Sequence, residues 1–176
     1  MSSEEIKVFG PATVSNVGPG FDLLGFALES PGDELIVRRN GTTKLVLYDQ
    51  TDCRLPIDPE QNVAAVAVAS LLRELHSYEG FDLVFTKKIP PGSGVGSSAA
   101  SCAAAVVGIN ELLGAPFDTP ERIPFAMEGE KVASGATHAD NIAPALLGGM
   151  TLIRGSAPLD LKHRAYPDDL GCTAVS

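Results

Sequence analysis

Residues 89–101 read Ile-Pro-Pro-Gly-Ser-Gly-Val-Gly-Ser-Ser-Ala-Ala-Ser, and this stretch decides how the rest of the chain is interpreted. Three glycines stand at alternate positions within it: Gly92, Gly94 and Gly96. Because glycine has no Cβ and adopts positive φ readily, the backbone here can curl tightly around a ligand. Ser97 and Ser98 then offer hydroxyl groups at the point where a helix would begin.

A strand-like run from Phe81 to Lys87 leads into this glycine loop, and an alanine-rich helix is predicted from Ala99 to Leu113, ended by Gly114. The first N–H groups of a helix, together with the positive end of its dipole, bind anions and phosphate above all. The loop is not a Walker A motif, because no Lys-Ser/Thr pair follows the glycines, and its third glycine falls one place too early for the dinucleotide fingerprint. From the residues alone, a strand-to-helix turn that binds no ligand is therefore as good an interpretation as a phosphate-binding loop.

Length and composition exclude several classes of protein. The 176 residues suit one domain, or one domain with a fragment of a second. The formal net charge of −9 argues against nucleic acid or an anionic membrane as a partner. No apolar run approaches the ~20 residues that span a bilayer. The three cysteines, Cys53, Cys102 and Cys172, lack metal-site spacing, so we expect reduced thiols in a cytoplasmic protein.

Hydrophobic periodicity predicts an α+β or mixed α/β domain. In the first half we predict a strand over Ile6–Val14 bent at Gly10-Pro11, and a segment over 15–25 that is too rich in glycine for regular structure at its start. We also predict antiparallel strands over Asp33–Arg39 and Lys44–Tyr48 joined at Asn40-Gly41, and a helix over Asn62–His76. In the second half we predict a helix with its N-cap at Thr119 and its regular part beginning at Pro124, a short helix over Ile142–Leu147, a strand over Gly148–Arg154, and a strand beginning at Cys172.

Several polar residues have a structural alternative to a functional role. Asn16 and Asp22 stand among apolar and small residues, where turn chemistry is the better explanation on the residues alone. Glu130 belongs to a charged stretch that would by default form the solvated face of a helix. His138 would ordinarily be a hydrogen-bonded core histidine. The residues alone leave these alternatives open.

A family resemblance favours the functional interpretation of these residues. Pro90–Ala100 resembles the Pro-x-x-x-Gly-Leu-Gly-Ser-Ser-Ala phosphate loop of the GHMP kinases, with Val95 where Leu or Met is usual. Residues 11–25 and the run Gly-x-x-His-x-Asp-Asn-Ile-Ala-Pro at 135–144 are similar to the homoserine kinases of that superfamily. The resemblance implies an α+β fold: the GHMP kinase N-terminal domain, a mixed sheet like that of ribosomal protein S5 domain 2 with helices packed on one side, the C-terminal GHMP domain being largely absent.

The resemblance also implies an ATP- and Mg²⁺-dependent kinase that phosphorylates the side-chain hydroxyl of L-homoserine, a small-molecule step of threonine biosynthesis. The residues implied to wrap the ATP phosphates are Pro90, Pro91, Gly92, Ser93, Gly94, Val95, Gly96, Ser97, Ser98, Ala99 and Ala100. Asn62 is implied to contact the base, and Ser98 and Glu130 to bind Mg²⁺. The amino-acid site is implied to consist of Asn16, Asp22, His138 and Asn141. Asn141 would orient the reacting hydroxyl, and Asp140, the nearest analogue of the aspartate that mevalonate kinases use, is the other catalytic candidate.

Homoserine kinases are longer than this chain. The resemblance therefore implies that residues 1–165 form the ATP-binding domain and that 166–176 begin the C-terminal one. The arginines for the substrate carboxylate would lie beyond Ser176, so we expect the 176-residue chain to be nearly inactive by itself. Two other functions stay open, a different GHMP kinase acting on a sugar, mevalonate or shikimate, and a non-catalytic nucleotide-binding module. The oligomeric state, monomer or homodimer, stays open as well.

Overall fold

The structure, a computed structural model, describes residues 5–135, 138–156, 158–165 and Gly171. Six strands and four helices lie within these residues, which confirms the α+β class. The strands are β1 (Glu5–Val17), β2 (Gly20–Arg39), β3 (Leu45–Asp49), β4 (Phe81–Lys87), β5 (Met150–Ser156) and β6 (Leu159–Arg164). The helices are α1 (Val63–Glu74), α2 (Ser97–Leu112), α3 (Thr119–Ser134) and α4 (Ile142–Leu147).

All six strands belong to one mixed sheet. The order is β3-β4-β2-β5-β6, and β1 pairs with β2 along most of its length. The β3–β4 pair is parallel, and the other pairs are antiparallel. The long β2 thus pairs with β4 at its C-terminal end and with β5 near its N-terminal end, so it holds the two parts of the sheet together.

The helices cover one face of this sheet. Along β2, Leu35 and Val37 are fully buried, whereas Glu34, Ile36 and Arg38, which alternate with them, are not. Helix α2 lies against the buried face, since a Cβ added at Gly108 would stand 2.8 Å from Cγ2 of Val37. The absence of a side chain at Gly108 therefore lets the helix approach the sheet closely. Among the described helices, none combines the length and the apolar composition needed to cross a membrane.

The predicted hairpin around Asn40-Gly41 is wrong. The strand β3 does not pair with β2, because β4 lies between them and pairs with both. Side-chain bonds hold this arrangement: Arg38 Nε donates to Asp82 Oδ2 (2.9 Å), and Asn40 Nδ2 donates to Asp82 Oδ1 (3.0 Å). Strand β4 is buried from Phe81 to Phe85, and it has a neighbouring strand on each edge.

The irregular structure predicted at the start of residues 15–25 is also wrong in extent. Strand β1 continues to Val17, and β2 begins at Gly20, so only a tight turn at 18–19 separates them. The glycines in this segment favour the turn, and antiparallel pairing continues on both sides of it. Register shifts between Pro11 and Thr13 and between Ser15 and Val17 absorb the irregularity that the Gly-Pro pairs introduce.

Most other predicted elements are confirmed within a few residues, namely α1, β4, α2, α4 and β5. Helix α3 differs, because its N-cap is Asp118 and Pro124 lies inside it. Asp118 forms a capping box with Glu121, whose Oε2 accepts from the Asp118 N–H at 2.7 Å, and this fixes the helix start before Pro124. Strand β6 was not predicted, since its sequence is polar and half-exposed. The strand predicted from Cys172 lies outside the described residues.

Candidate functional site

A cleft of about 450 Å³ opens where the glycine loop, residues 89–96, meets the first turn of α2. Residues from β1, from the segment before α1 and from the start of α4 complete its walls. Of the residues implied to form a site, those that line the cleft are Asn16, Asn62, Pro91, Gly92, Gly94, Gly96, Ser97, Ser98 and Asn141. The fold therefore brings together residues that are widely separated in the sequence.

The glycine loop has the backbone that its sequence predicts. Gly92, Gly94 and Gly96 have φ values of 80°, 76° and 66°. Residues other than glycine adopt such values only at a cost in free energy. Gly96 is the N-cap of α2 and supplies no side-chain cap. The first N–H groups of α2 begin without acceptors in their own helix, and they lie beside the cleft. This arrangement suits a phosphate group.

A buried ion pair that was not predicted from the sequence links the two ends of the glycine loop. Lys88 Nζ lies 2.9 Å from Asp33 Oδ2, and the two side chains are 4% and 0% exposed. Lys88 also donates to the carbonyl and to the hydroxyl of Ser97. The residue that enters the loop is thus joined to the residue that leaves it, and the Lys88 charge is balanced by Asp33.

Further hydrogen bonds tie the same two ends together. Asp33 accepts from the Ile89 N–H at 2.8 Å and from the Ser101 hydroxyl at 2.6 Å. Ser97 Oγ donates to the carbonyl of Ile89 at 2.9 Å. The ends of the loop are therefore fixed before any ligand binds.

Glu130 on α3 contacts Ser98 on α2, which lines the cleft, whereas Glu130 itself does not. Ser98 Oγ donates to Glu130 Oε1 at 3.0 Å, while the buried Oε2 has no hydrogen-bond partner among the described residues. Burial raises the pKa of Glu130; the Ser98 hydrogen bond and the nearby His138 oppose this rise, and the charge of Asp140 adds to it. Glu128 and Lys131 instead form an exposed ion pair. The solvated-face alternative thus describes those two residues and not Glu130.

A buried carboxylate oxygen without a donor is the kind of atom that a hard cation binds. No group of three or more His, Cys, Asp or Glu side chains forms a metal site among the residues that the structure describes. A Ser–Glu pair is a sparse ligand set, which fits Mg²⁺ because this ion keeps several waters and phosphate oxygens in its shell. The pair fits that ion better than a structural metal, which would need a complete protein cage.

Asn141 stands at the N-cap of α4, but its side chain does not cap that helix. Its Oδ1 accepts from Thr13 Oγ1 at 2.8 Å, and its Nδ2 donates to Ser15 Oγ at 2.9 Å. The amide is therefore held against β1 with an edge in the cleft. Neither Thr13 nor Ser15 was identified from the sequence, since both lie more than a hundred residues from Asn141 along the chain.

The other residues implied for the amino-acid site are more scattered. Asn16 and Asp22 both have positive φ, and Asn16 Oδ1 accepts from the Asp22 N–H at 3.0 Å, which is the turn chemistry of the structural alternative. Both are exposed, as is His138, and neither Asp22 nor His138 lines the cleft. Asp140 is only 4% exposed and does not line it either.

Asn62 lines the cleft and is the N-cap of α1. Its Oδ1 accepts from the N–H groups of Ala64 and Ala65, and its Nδ2 donates to the carbonyl of Pro56 at 2.8 Å. The side chain thus mainly caps the helix, and one of its two Nδ2 hydrogens makes none of these bonds. Contact with a nucleotide base stays a prediction.

Comparison with known proteins places this geometry in a family. The family described as "GHMP kinases N terminal domain" matches residues 62–149. The homoserine kinase of Chlorobium phaeobacteroides is 43% identical over an alignment that covers 97% of this chain. The chain belongs to the GHMP kinase family. A crystal structure of homoserine kinase from Cytophaga hutchinsonii matches 95% of the chain with a TM-score of 0.88 and 45% identity.

The superfamily shares the fold beyond the homoserine kinases. The mevalonate kinase of Methanococcus jannaschii has a TM-score of 0.73 at 14% identity, a likeness of fold alone. The chain spans 57% of the length of the Chlorobium homoserine kinase and 54% of the Cytophaga one. The predicted boundary between domains at residues 165 and 166 stays a prediction.

Proposed function

We propose that the full-length protein transfers the γ-phosphoryl group of ATP to the side-chain hydroxyl of L-homoserine. The observation that carries this proposal is the Ser98–Glu130 pair beside a glycine loop at a helix N-terminus, with a buried carboxylate oxygen that has no partner among the described residues. Similarity to homoserine kinases supports the acceptor. On this proposal the protein acts in the cytoplasm on small molecules, as an enzyme of threonine biosynthesis, and its net charge of −9 disfavours nucleic acid and anionic membranes as partners.

The glycine loop and the first turn of α2 would hold the phosphates. Side chains are absent at Gly92, Gly94 and Gly96, so backbone N–H groups can approach the phosphate oxygens closely. The Lys88–Asp33 pair keeps the ends of the glycine loop in place, so phosphate binding has to order little of the loop backbone. Because the net charge of the protein is negative, these local amides have to provide the attraction.

Ser98 and Glu130 would hold Mg²⁺ through the hydroxyl and the carboxylate. When bound, the ion supplies positive charge that neutralises the phosphate oxygens. The raised pKa of Glu130 fits this role, since a carboxylate kept from water and from cationic partners gains from a bound cation.

Asn141 would orient the homoserine hydroxyl toward the γ-phosphate. Phosphoryl transfer depends mainly on positioning and electrostatic stabilisation, and a well-oriented acceptor can contribute ~7–11 kcal/mol. Asp140 is the alternative as a general base, but it is buried and does not line the cleft. These positions support orientation of the hydroxyl by the Asn141 amide. The hydroxyl proton would then pass to the phosphoryl group or to solvent.

The test is an ADP-release assay on the full-length protein with Mg²⁺-ATP and a panel of alcohols: L-homoserine, mevalonate, galactose and shikimate. We expect kcat/KM for homoserine to exceed that for each other alcohol by at least about a hundredfold, since a site built to pair with polar groups rejects substrates that leave these groups unpaired. Preference for another alcohol would replace homoserine as the acceptor. Nucleotide binding without transfer to any of them would favour a binding module.

A further inference from the structure

Thr13 on β1 lies between the two parts of the site that phosphoryl transfer has to bring together. Its N–H donates to the carbonyl of Val95 in the glycine loop at 3.1 Å. Its Oγ1 donates to Oδ1 of Asn141 at 2.8 Å. Thr13 is fully buried, so bulk water does not compete for either bond. One residue therefore joins the phosphate loop to the amide proposed for the acceptor.

The end of the glycine loop is packed directly against this hydroxyl. A Cβ added at Gly96 would lie 2.0 Å from Thr13 Oγ1 and 3.0 Å from Asn141 Oδ1. Gly96, Thr13 and Asn141 are thus in close contact, with no space for a side chain between them. The distance between the start of α2 and the Asn141 amide is consequently set through Thr13.

The same contact fixes the orientation of the amide. An asparagine amide has two N–H donors and an oxygen with two lone pairs. The bonds to Thr13 and to Ser15 use one lone pair and one N–H of Asn141, and its side chain makes no cap bond to α4. One lone pair and one N–H remain, and their directions in the cleft are determined by the two bonds already made.

We propose that Thr13 is a positioning residue, which holds Asn141 at a fixed place and orientation relative to the phosphate loop so that the acceptor hydroxyl lies in line with the γ-phosphate. This inference rests on the proposed function, because it requires Asn141 to orient an alcohol. Thr13 itself lies outside the cleft lining and acts through Asn141.

The experiment compares Thr13→Val and Thr13→Ser in the full-length protein, with Mg²⁺-ATP and L-homoserine. Valine keeps the shape of threonine but puts a methyl group where the hydroxyl stood, so Asn141 Oδ1 loses its donor and has to move. We expect kcat/KM for homoserine to fall about tenfold to a hundredfold in Thr13→Val, with the KM for ATP within about twofold of wild type, since small misplacements of this kind cost up to ~10²-fold. Thr13→Ser keeps the donor and should retain most of the activity.

A double-mutant cycle with Asn141→Ala separates positioning from a general structural role. If Thr13 acts through Asn141, Thr13→Val adds little to the defect of Asn141→Ala, whereas independent effects would multiply. Multiplying defects, or wild-type kcat/KM in Thr13→Val, would overturn the inference. Thr13→Ala removes the hydroxyl without a new methyl contact and replaces Thr13→Val in the cycle if that variant does not fold. A wild-type protein that phosphorylates no homoserine would overturn the proposed function and this inference with it, whereas an active wild type with unaffected variants would overturn the inference alone.

Discussion

The hydroxyl of Ser98 donates to Oε1 of Glu130 at 3.0 Å, across 32 positions of the sequence. This bond joins the first turn of α2 to the middle of α3 and leaves Oε2 of Glu130 buried without a partner among the described residues. A protein that needed the carboxylate only for stability would gain by pairing both oxygens, because a buried acceptor without a donor is costly. The proposed function gives this oxygen a partner, a bound cation.

We therefore expect Glu130→Gln to keep the fold and to lose Mg²⁺-dependent turnover. An amide oxygen is a much poorer Mg²⁺ ligand than a carboxylate, and the lost stabilisation should lower kcat by ~10²-fold or more. The measurement is the ADP-release rate of the full-length protein as a function of Mg²⁺ concentration. Glu128→Gln, an exposed acid two residues away on the same helix, is the matched control and should behave as wild type. Equal Mg²⁺ dependence in both variants would assign Glu130 a structural role.

The raised pKa of Glu130 predicts a pH dependence of stability in the absence of metal. Between the ordinary pKa of 4.5 and the raised one, the folded protein binds more protons than the unfolded chain. The free energy of unfolding contributed by this group therefore falls as pH rises through that window. Above it the cost of the buried charge is constant, and Mg²⁺ should offset it.

Thermal denaturation of wild type and Glu130→Gln at several pH values, with EDTA, measures this effect. We expect Tm of the wild type relative to that of Glu130→Gln to decrease as pH rises above about 4.5, since glutamine does not titrate. Mg²⁺ added at neutral pH should raise the Tm of the wild type more than that of the variant. A difference in Tm that does not change with pH would mean that the pKa of Glu130 is the same in the folded and unfolded states.

Two glycines of the loop allow a matched comparison. Gly94 and Gly96 both have positive φ, so alanine at either position costs about 1–2 kcal/mol in backbone strain. A Cβ at Gly94 would meet nothing within 4 Å, whereas one at Gly96 would overlap Thr13 Oγ1. Gly96→Ala should therefore displace the Thr13–Asn141 contact as well as the loop.

We expect Gly96→Ala to lower kcat/KM for homoserine ~10²-fold through misalignment, and Gly94→Ala to have a much smaller effect on the same quantity. Steady-state kinetics in both substrates, with Tm as a check of folding, distinguishes the two variants. Similar defects in both would show that the contact with Thr13 has no influence on catalysis.

Local patterns in the sequence predicted much of the fold and the site, and the misses that matter most are non-local. The helical spacing of apolar residues gave α1, and the glycine loop with its following helix was evident from its composition. The pairing of β3 was mispredicted because its true partner β4 begins at Phe81, far beyond the turn signal at Asn40-Gly41. Periodicity describes which face of an element is buried and not which element covers it.

The same limit applies to the site. Glu130 and Asn141 were identified through the family resemblance, while their contacts to Ser98 and Thr13 depend on tertiary packing. Asp33 was part of a predicted strand, and nothing local distinguished it from a surface residue. Only the fold shows that it faces Lys88 inside the protein.

The last prediction concerns this buried pair. Lys88→Met leaves the Asp33 carboxylate buried with hydrogen bonds from Ile89 and Ser101 but without a counter-charge. Removing one partner of a buried ion pair typically lowers the free energy of unfolding by about 3–5 kcal/mol. Lys131→Met breaks an exposed ion pair with Glu128 and should cost less than about 1 kcal/mol.

Urea denaturation of the full-length protein measures both changes, and the double variant Asp33→Asn/Lys88→Met supplies the decisive comparison. Asparagine keeps an acceptor for the Ile89 N–H while both charges are removed, so part of the stability lost in Lys88→Met should return. Recovery of stability without recovery of the KM for ATP would show that the pair positions the glycine loop in addition to neutralising a charge. If Lys88→Met cost no more than Lys131→Met, the pair would contribute no more than a surface salt bridge, and the loop would owe its shape to its glycines and to the hydrogen bond between Ser97 and Ile89.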